Sequence, residues 1–129
     1  MVKGKRLFRV SILENIVREY YDRIDAGDVD WVVGMFASDA VYDRAGQLIT
    51  GTDEIRAFYA GERKVTLTHS KIKLWACGRD IFVEGTYSGT GADGSERLGQ
   101  FSDHWTFNAA GKVTLRRTSL FTGADTIKE

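Results

Sequence analysis

The sequence has little cysteine, no excess of either charge and no long apolar segment. Its 129 residues include one cysteine, Cys77, and 18 basic residues against 18 acidic ones. A single cysteine excludes an internal disulfide and a cysteine-based zinc site, and two histidines on different predicted strands give little basis for another metal site. The charges are interspersed and form no basic stripe, which argues against a nucleic-acid partner.

Targeting features are also missing from the start of the chain. Met1 to Arg6 is basic but leads into an amphipathic segment, whereas a signal peptide would continue into an apolar core. No apolar run approaches the length of a membrane-spanning helix, so we expect a cytoplasmic protein without a membrane partner. A length of 129 residues with 43% hydrophobic residues fits one domain over residues 1–129.

Apolar spacing predicts helices in the first half of the chain. Leu13, Val17 and Tyr20 recur at intervals of three and four, and Gly27 and Asp28 are suited to end one helix and begin the next. The predicted elements are helices over Arg9 to Ala26, through Trp31 to Phe36 and from Thr52 to near Gly61, a strand over Asp39 to Asp43, and a hairpin-like excursion between Gly46 and Gly51.

The second half of the chain alternates strands with turn residues. The predicted strands are Thr66 to Ala76, Ile81 to Ser88, Arg97 to Phe107 and Val113 to Phe121. Glycine, asparagine and aspartate in the turns favour antiparallel pairing as a meander. Helices followed by a long sheet predict an α+β architecture, in which the N-terminal helices cover one face of a curved, mostly antiparallel sheet and enclose a pocket.

A carboxylate among aromatic residues is the first candidate for chemistry. On a regular strand, Phe101, Asp103, Trp105 and Phe107 share one face. An isolated carboxylate there either finds donors or stays protonated, because an unpaired buried charge is costly. A protonated Asp103 would donate a hydrogen bond to a substrate oxygen. The alternative is a buried acceptor bound to its own backbone or to an arginine.

Several motifs occur in order between about Asn15 and Phe121. They are Ala26-Gly27-Asp28, Phe36-Ala37-Ser38-Asp39-Ala40-Val41, Ile55-Arg56-Ala57-Phe58-Tyr59-Ala60 and Asp103-His104-Trp105-Thr106-Phe107-Asn108-Ala109-Ala110-Gly111-Lys112-Val113. Together they resemble the ketosteroid isomerase branch of the NTF2-like superfamily, and the chain is also similar to the SnoaL-like polyketide cyclases that share this cone-shaped fold. The resemblance implies a homodimer that pairs through the outer sheet face, with His104 at the interface.

The resemblance also implies an oxyanion hole and a proton shuttle. In ketosteroid isomerases a tyrosine and a protonated aspartic acid bind the oxyanion, and these positions fall on Tyr20 and Asp103 here. The shuttling aspartate falls on Arg44, and arginine is no base at neutral pH. The neighbouring Asp43 is the provisional shuttle, provided that the strand bulges or slips there. Otherwise Asp43 forms an exposed ion pair or caps a turn.

Other charged residues compete for a role. Glu84 is a second candidate base, with a solvent-facing carboxylate as the alternative. Arg116 and Arg117 must point to opposite sheet faces, so one of them can bind an enolate, a carboxylate or Asp103 itself. An arginine paired with Asp103 would ionise the acid and remove its donor role.

The pocket walls and the histidines complete the candidate site. The predicted substrate-binding residues are Phe36, Phe58, Trp75, Phe101, Trp105, Arg116 and Phe121, with core packing as the alternative for the aromatic ones. His69 falls with Lys71 and Lys73 on the polar alternation of its strand and receives no catalytic role. The last strand has arginines but no acid, which disfavours the Asp-Arg-Asp arrangement of limonene epoxide hydrolases.

The leading hypothesis is a cofactor-independent acid–base enzyme acting on a hydrophobic carbonyl compound through an enolate-like intermediate. Its reaction would be an isomerisation, a cyclisation or a dehydration, and a polyketide-type substrate of secondary metabolism is favoured over a steroid. The alternatives are a steroid delta-isomerase proper and a non-catalytic domain for small-molecule binding or assembly. No phosphate, nicotinamide or flavin motif occurs.

Overall fold

The computed structural model of the chain describes residues 2–61 and 66–122. Helices and strands of these residues follow the predicted order. The helices are α1 (Val2–Asp25), α2 (Val29–Gly34) and α3 (Gly51–Gly61). The strands are β1 (Phe36–Arg44), β2 (Gln47–Thr50), β3 (Thr66–Cys77), β4 (Asp80–Thr90), β5 (Glu96–Phe107) and β6 (Val113–Thr122). The predicted α+β fold class is confirmed.

Capping residues separate the first two helices as predicted. Gly27 has a φ of 79° just after α1, and the Asp28 side chain accepts a hydrogen bond from the backbone nitrogen of Trp31 at 3.2 Å. The predicted continuation of α2 to Phe36 is wrong. Phe36 already belongs to β1 and pairs with Val113 in the sheet, so sheet pairing prevails there over the local apolar spacing.

The six strands form one open, mixed sheet in the order β2-β1-β6-β5-β4-β3. The meander from β3 to β6 is antiparallel throughout, and β1 runs parallel to β6. The helices pack against one face of this sheet. That face is the inner one, and its strand residues alternate with those of an outer face.

A bulge in β3 changes which residues face inward. The pairing of β3 with β4 shifts between Ser70 and Lys73, and Lys71 lies in the bulge with a positive φ of 55°. Before the bulge His69 is opposite Tyr87, and after it Lys73 is opposite Glu84. The predicted common face of His69, Lys71 and Lys73 is therefore wrong, because an extra residue reverses the alternation.

The two faces of the sheet have different surroundings. The inner face carries the core, where the side chains of Ile81, Val83, Trp105 and Val113 have at most 1% exposure. A row of paired residues crosses the outer face through all six strands, and we call it the outer row: Leu48, Asp43, Arg117, His104, Phe82 and Trp75. Within the described residues, no helix combines the length and apolar character needed to cross a bilayer.

Candidate functional site

A cavity of about 520 Å³ lies between the helices and the inner face of the sheet. Its volume is within the range typical of small-molecule sites. Aromatic side chains form much of its wall, and charged side chains interrupt it. The aromatic lining residues are Tyr20, Tyr42, Phe58, Tyr59, Tyr87 and Phe101. The charged lining residues and the one histidine are Asp25, Arg44, Arg97, Arg116 and His69.

A buried ion pair stands at the centre of the inner face. Arg116 Nη2 donates to Asp103 Oδ2 at 3.0 Å, and the two side chains are 5% and 0% exposed. Asp103 also accepts hydrogen bonds from the hydroxyls of Tyr21, at 2.5 Å, and Thr118. With three donors directed at it, the Asp103 carboxylate acts as a hydrogen-bond acceptor. Trp105 extends the network, because its indole N–H donates to the Tyr21 oxygen at 3.2 Å.

The guanidinium of Arg116 also holds two tyrosine hydroxyls in the cavity wall. Its Nη1 donates to the Tyr20 oxygen at 2.5 Å and to the Tyr59 oxygen at 2.7 Å. The rings of Tyr20, Tyr42 and Trp105 surround the guanidinium, with centroids 4.5 to 4.6 Å from its central carbon. These cation–π contacts and hydrogen bonds fix the arginine in place.

Counting hydrogens leaves one donor available in this cluster. The Tyr20 and Tyr59 oxygens lie 2.9 Å apart, so one hydroxyl proton is shared between them. Each hydroxyl has one proton, and both oxygens already accept from Arg116. The second hydroxyl proton has no protein acceptor among the described residues. Because both tyrosines line the cavity, that proton is available to a bound molecule.

The tyrosine hydroxyls of this cluster are neutral donors. Burial raises the pKa of Tyr20 and Tyr59 above the ordinary value of 10.0, against the opposing charge of Arg116. Burial and then the charge of Asp103 raise the pKa of Tyr21 as well. For Arg116, burial alone would lower the pKa, but the negative charge of Asp103 is the largest opposing influence, and the pKa lies above its ordinary value, so the guanidinium stays protonated.

The structure separates the predicted catalytic residues. Tyr20 lines the cavity, whereas Asp103 lies beneath Arg116 and is not among the lining residues. The protonated-donor interpretation of Asp103 does not fit this geometry, because the carboxylate accepts from three donors. Asp43 lies on the outer face, where it pairs with Arg117 at 3.3 Å and accepts from the Gly46 nitrogen at 3.0 Å.

Asp43 lies outside the cavity because β1 keeps its regular alternation at this point. Tyr42 and Arg44 line the cavity on either side of it, and Asp43 pairs with Arg117 across the parallel strands. The bulge or slip that a shuttle role requires is absent at this pair. Glu84, the other candidate base, is exposed on the outer face of β4.

The predicted pocket walls fall into three groups. Phe58, Phe101 and Arg116 line the cavity. Phe36 and Trp105 are buried in the core, at 4% and 0% exposure, and are not lining residues. Trp75 and Phe121 are 52% and 45% exposed on the outer face. The bulge in β3 turns Trp75 outward. Phe121 lies five residues after the inward Arg116 on β6, so strand alternation turns its side chain outward.

A histidine and an aspartate that the sequence analysis left without a role meet at the cavity wall. His69 Nδ1 lies 2.6 Å from Asp25 Oδ1, and the backbone nitrogen of His69 donates to Asp25 Oδ2 at 2.8 Å. One signal could have indicated this inward His69. Apolar alternation in β3 changes from Leu67 to Ile72 and Leu74, and such a change of phase indicates a bulge between them.

Metal-ligating groups do not gather in the part of the chain that the structure covers. No cluster of three or more histidine, cysteine, aspartate or glutamate side chains suited to an ion occurs among residues 2–61 and 66–122. Cys77 is exposed and carries a free thiol.

Helices packed on one face of an open, curved sheet around an aromatic cavity define an NTF2-like cone. Residues 17–116 match the SnoaL-like domain family, and since this match covers most of the chain, the protein belongs to that family. The predicted resemblance is confirmed. The cavity and its buried ion pair thus lie in a SnoaL-like domain.

Solved structures share this fold at low sequence identity. A candidate polyketide cyclase from Xanthomonas campestris pv. campestris is 17% identical, with a TM-score of 0.77 over 84% of this chain and 90% of that one. SalBIII, described as an epoxide hydrolase/cyclase-like enzyme in pyran ring formation, is 24% identical, with a TM-score of 0.73 over 89% and 94% of the two chains. An M. tuberculosis LEH-like epoxide hydrolase is 18% identical, with a TM-score of 0.76 over 87% and 84%.

Proposed function

We propose that this protein is a cofactor-independent acid–base enzyme that acts on a hydrophobic carbonyl compound through an enolate-like intermediate. The observation that carries the proposal is the cluster of Tyr20, Tyr59 and Arg116 in the cavity wall. It offers one unused hydroxyl proton, backed by a buried guanidinium, inside an aromatic cavity. Negative charge that develops on a substrate oxygen would be stabilised there.

Such a cluster is suited to an oxyanion because its donors are already oriented. Arg116 fixes both tyrosine oxygens, so a bound carbonyl meets a prearranged hydroxyl and no side chain needs to reorganise during the reaction. Removing one donor from an oxyanion hole typically raises the barrier by about 2.7–4 kcal/mol. The proposed oxyanion hole therefore consists of Tyr20 and Tyr59, with Asp103 holding Arg116 from below.

The reaction that we favour is a cyclisation or isomerisation of a polyketide-type substrate. Arg44 lines the cavity at the position where ketosteroid isomerases carry the shuttling aspartate, and this disfavours a steroid delta-isomerase proper. The similar structures described as a candidate polyketide cyclase and as SalBIII support the same direction. The residues that line the cavity would perform the chemistry without a cofactor.

One observation favours a second candidate, a non-catalytic domain that binds a small molecule. Such a domain needs Asp103 only as the partner of a buried arginine, and the Arg116–Asp103 ion pair has this form. The two candidates differ in whether the tyrosine hydroxyls prefer a negatively charged oxygen. An enzyme of the proposed kind binds an oxyanion mimic more tightly than a neutral molecule of the same shape.

The test compares a fluorescent naphthol with naphthalene as ligands for the wild type, Tyr20→Phe and Tyr59→Phe. We expect the naphthol to bind at least about tenfold more weakly to either variant, and naphthalene to bind all three proteins equally. Tyr87→Phe is the matched control, because Tyr87 lines the cavity without a hydrogen bond to Arg116. Equal naphthol affinity in all four proteins would contradict the proposed oxyanion hole.

We further propose that a second copy of this chain packs on the outer row. Trp75 and Phe82 are exposed there at 52% and 42%, and the row also carries the Asp43–Arg117 pair, so the surface has apolar area and both charges for a two-fold contact. Light scattering should give the mass of a dimer for the wild type and of a monomer for Trp75→Lys. A monomeric wild type at micromolar concentration would contradict this proposal.

A further inference from the structure

An enolisation in this cavity needs a base, and few residues in the wall can serve. Arginines hold their protons at neutral pH, and tyrosine hydroxyls do the same. Among residues 2–61 and 66–122, the titratable residues that remain in the cavity lining are Asp25 and His69. Asp43 and Glu84, the bases that the sequence suggested, lie on the outer face. Within the part of the chain that the structure describes, the choice of base is therefore confined to one pair of neighbours.

The geometry of this pair determines which atom is free to accept a proton. Asp25 uses both carboxylate oxygens on His69, one on Nδ1 at 2.6 Å and one on the backbone nitrogen at 2.8 Å. Nδ1 must carry a proton to donate to the carboxylate, and a neutral imidazole then has its lone pair on Nε2. No side chain or backbone group of the described residues forms a hydrogen bond with Nε2.

Packing holds the His69 ring at the wall. Its centroid lies 5.4 Å from that of Tyr21 and 5.2 Å from that of Phe101, and its side chain is 15% exposed. Tyr21 and Phe101 are buried, so the ring has little freedom to turn. Tyr21 also connects this part of the wall to Asp103 through its hydroxyl. Tyr21 thus packs against both His69 and Tyr20, and the imidazole and the tyrosine pair line one cavity.

We propose that His69 is the general base of this protein and that Asp25 is the residue that orients it. The inference rests on the proposed function. Nε2 takes a proton from the carbon next to the substrate carbonyl, and the electrons of that C–H bond form a C=C bond. The carbonyl oxygen becomes the enolate oxygen at the Tyr20–Tyr59 pair. The imidazolium then returns the proton to another atom of the same substrate.

The chain contains a second His–Asp pair that serves as a matched control. His104 Nε2 lies 2.9 Å from Asp80 Oδ1, and its ring stacks on Phe82 with centroids 4.4 Å apart. Asp80 also accepts from the Thr106 hydroxyl at 2.7 Å. The pair has the same chemistry as Asp25 and His69 but lies on the outer face, away from the cavity. Its imidazole cannot reach a molecule bound inside.

The experiment uses nitrobenzisoxazole, which reports a base without knowledge of the natural substrate. A base removes its ring C–H proton, the N–O bond breaks, and the product is a coloured cyanonitrophenolate. We expect His69→Gln to lower the elimination rate about 100-fold, within the range typical of general bases, and His104→Gln to leave it unchanged. Equal rates for wild type and His69→Gln would overturn the proposal.

Asp25→Asn tests the orienting role with a spectroscopic readout. Nitrogen NMR of the wild type should show His69 in the form protonated at Nδ1, and the variant should show an increased share of the form protonated at Nε2, with a slower elimination. An unchanged tautomer in Asp25→Asn would overturn the orienting role. Naphthol binding distinguishes the proposed base from the proposed oxyanion hole. The naphthol should still bind to His69→Gln. A wild type that does not bind the naphthol would contradict the oxyanion hole only.

Discussion

Replacing Asp103 with asparagine should strongly destabilise the fold, because it leaves a positive charge buried without its partner. The Asp103 side chain is fully buried and Arg116 is 5% exposed, so water cannot take over the lost interaction. An asparagine also replaces one acceptor oxygen with an NH₂ donor. That donor would face the hydroxyl of Tyr21 or Thr118, or the guanidinium itself, all of which already donate to Asp103.

The expected size of the effect follows from the burial of the pair. Breaking a buried ion pair by removing one partner typically costs about 3–5 kcal/mol of unfolding free energy. The chain also contains an exposed pair of the same kind away from the outer row, Asp30 of α2 with Arg56 of α3, whose side chains are 88% and 52% exposed. Such a surface pair contributes about 0–1 kcal/mol. Asp30→Asn is therefore the matched control for Asp103→Asn.

Urea unfolding followed by circular dichroism measures both variants. With a slope of about 1–3 kcal/mol per molar urea, Asp103→Asn should lower the midpoint by at least about 1 M, and Asp30→Asn should change it little. The double variant Asp103→Leu with Arg116→Met should be more stable than Asp103→Asn, because it leaves no unpaired charge. If Asp103→Asn were as stable as Asp30→Asn, the buried ion pair would not have the expected energetic role.

Two further predictions concern the tyrosines and the packing of the cavity wall. Burial raises the pKa of Tyr20, Tyr21 and Tyr59, so the folded chain holds protons that the unfolded chain releases near pH 10. Stability should be fully present below that pH and fall above it. Ultraviolet titration should then show part of the tyrosine signal appearing only on unfolding, and full ionisation of the folded chain would contradict this. Gly85→Ala should cost about 1–3 kcal/mol in the same urea assay, because its added Cβ would lie 2.6 Å from the Phe101 ring; a neutral effect would count against this close packing.

The overall fold could be predicted because local signals agree with the final pairing over most of the chain. Gly27 and Asp28 have the roles at the helix ends that their residue types favour, and the turn residues place the meander correctly. The exception at Phe36 has a tertiary cause. Its spacing from Val32 suits a helix, but pairing with Val113 in the parallel β1–β6 contact requires a strand.

The candidate site was only partly predictable, because its chemistry depends on contacts between distant segments. The alternation of side chains in β5 placed Asp103 correctly on the inner face. The sequence did not decide whether Arg116 or Arg117 would face inward and pair with it. The choice of Arg116 also decides the outward position of Phe121 on the same strand. A single bulge at Lys71 accounts for two further differences, since it turns His69 into the cavity and Trp75 out of it.

Burial and the position of Asp103 beneath Arg116 together explain how a buried arginine and neutral tyrosines can coexist. Burial has the largest effect and raises the pKa of Tyr20, whereas the charge of Arg116 lowers this pKa and favours a tyrosinate that could no longer donate. The charge of Asp103 acts in the opposite direction and raises the pKa of Tyr20 and Tyr21. Burial, with the charge of Asp103 added to it, therefore preserves the proton that the cavity offers to a ligand. In folded Asp103→Asn, tyrosine ionisation should begin at a lower pH than in the wild type, and an unchanged onset would show that burial alone keeps the hydroxyls neutral.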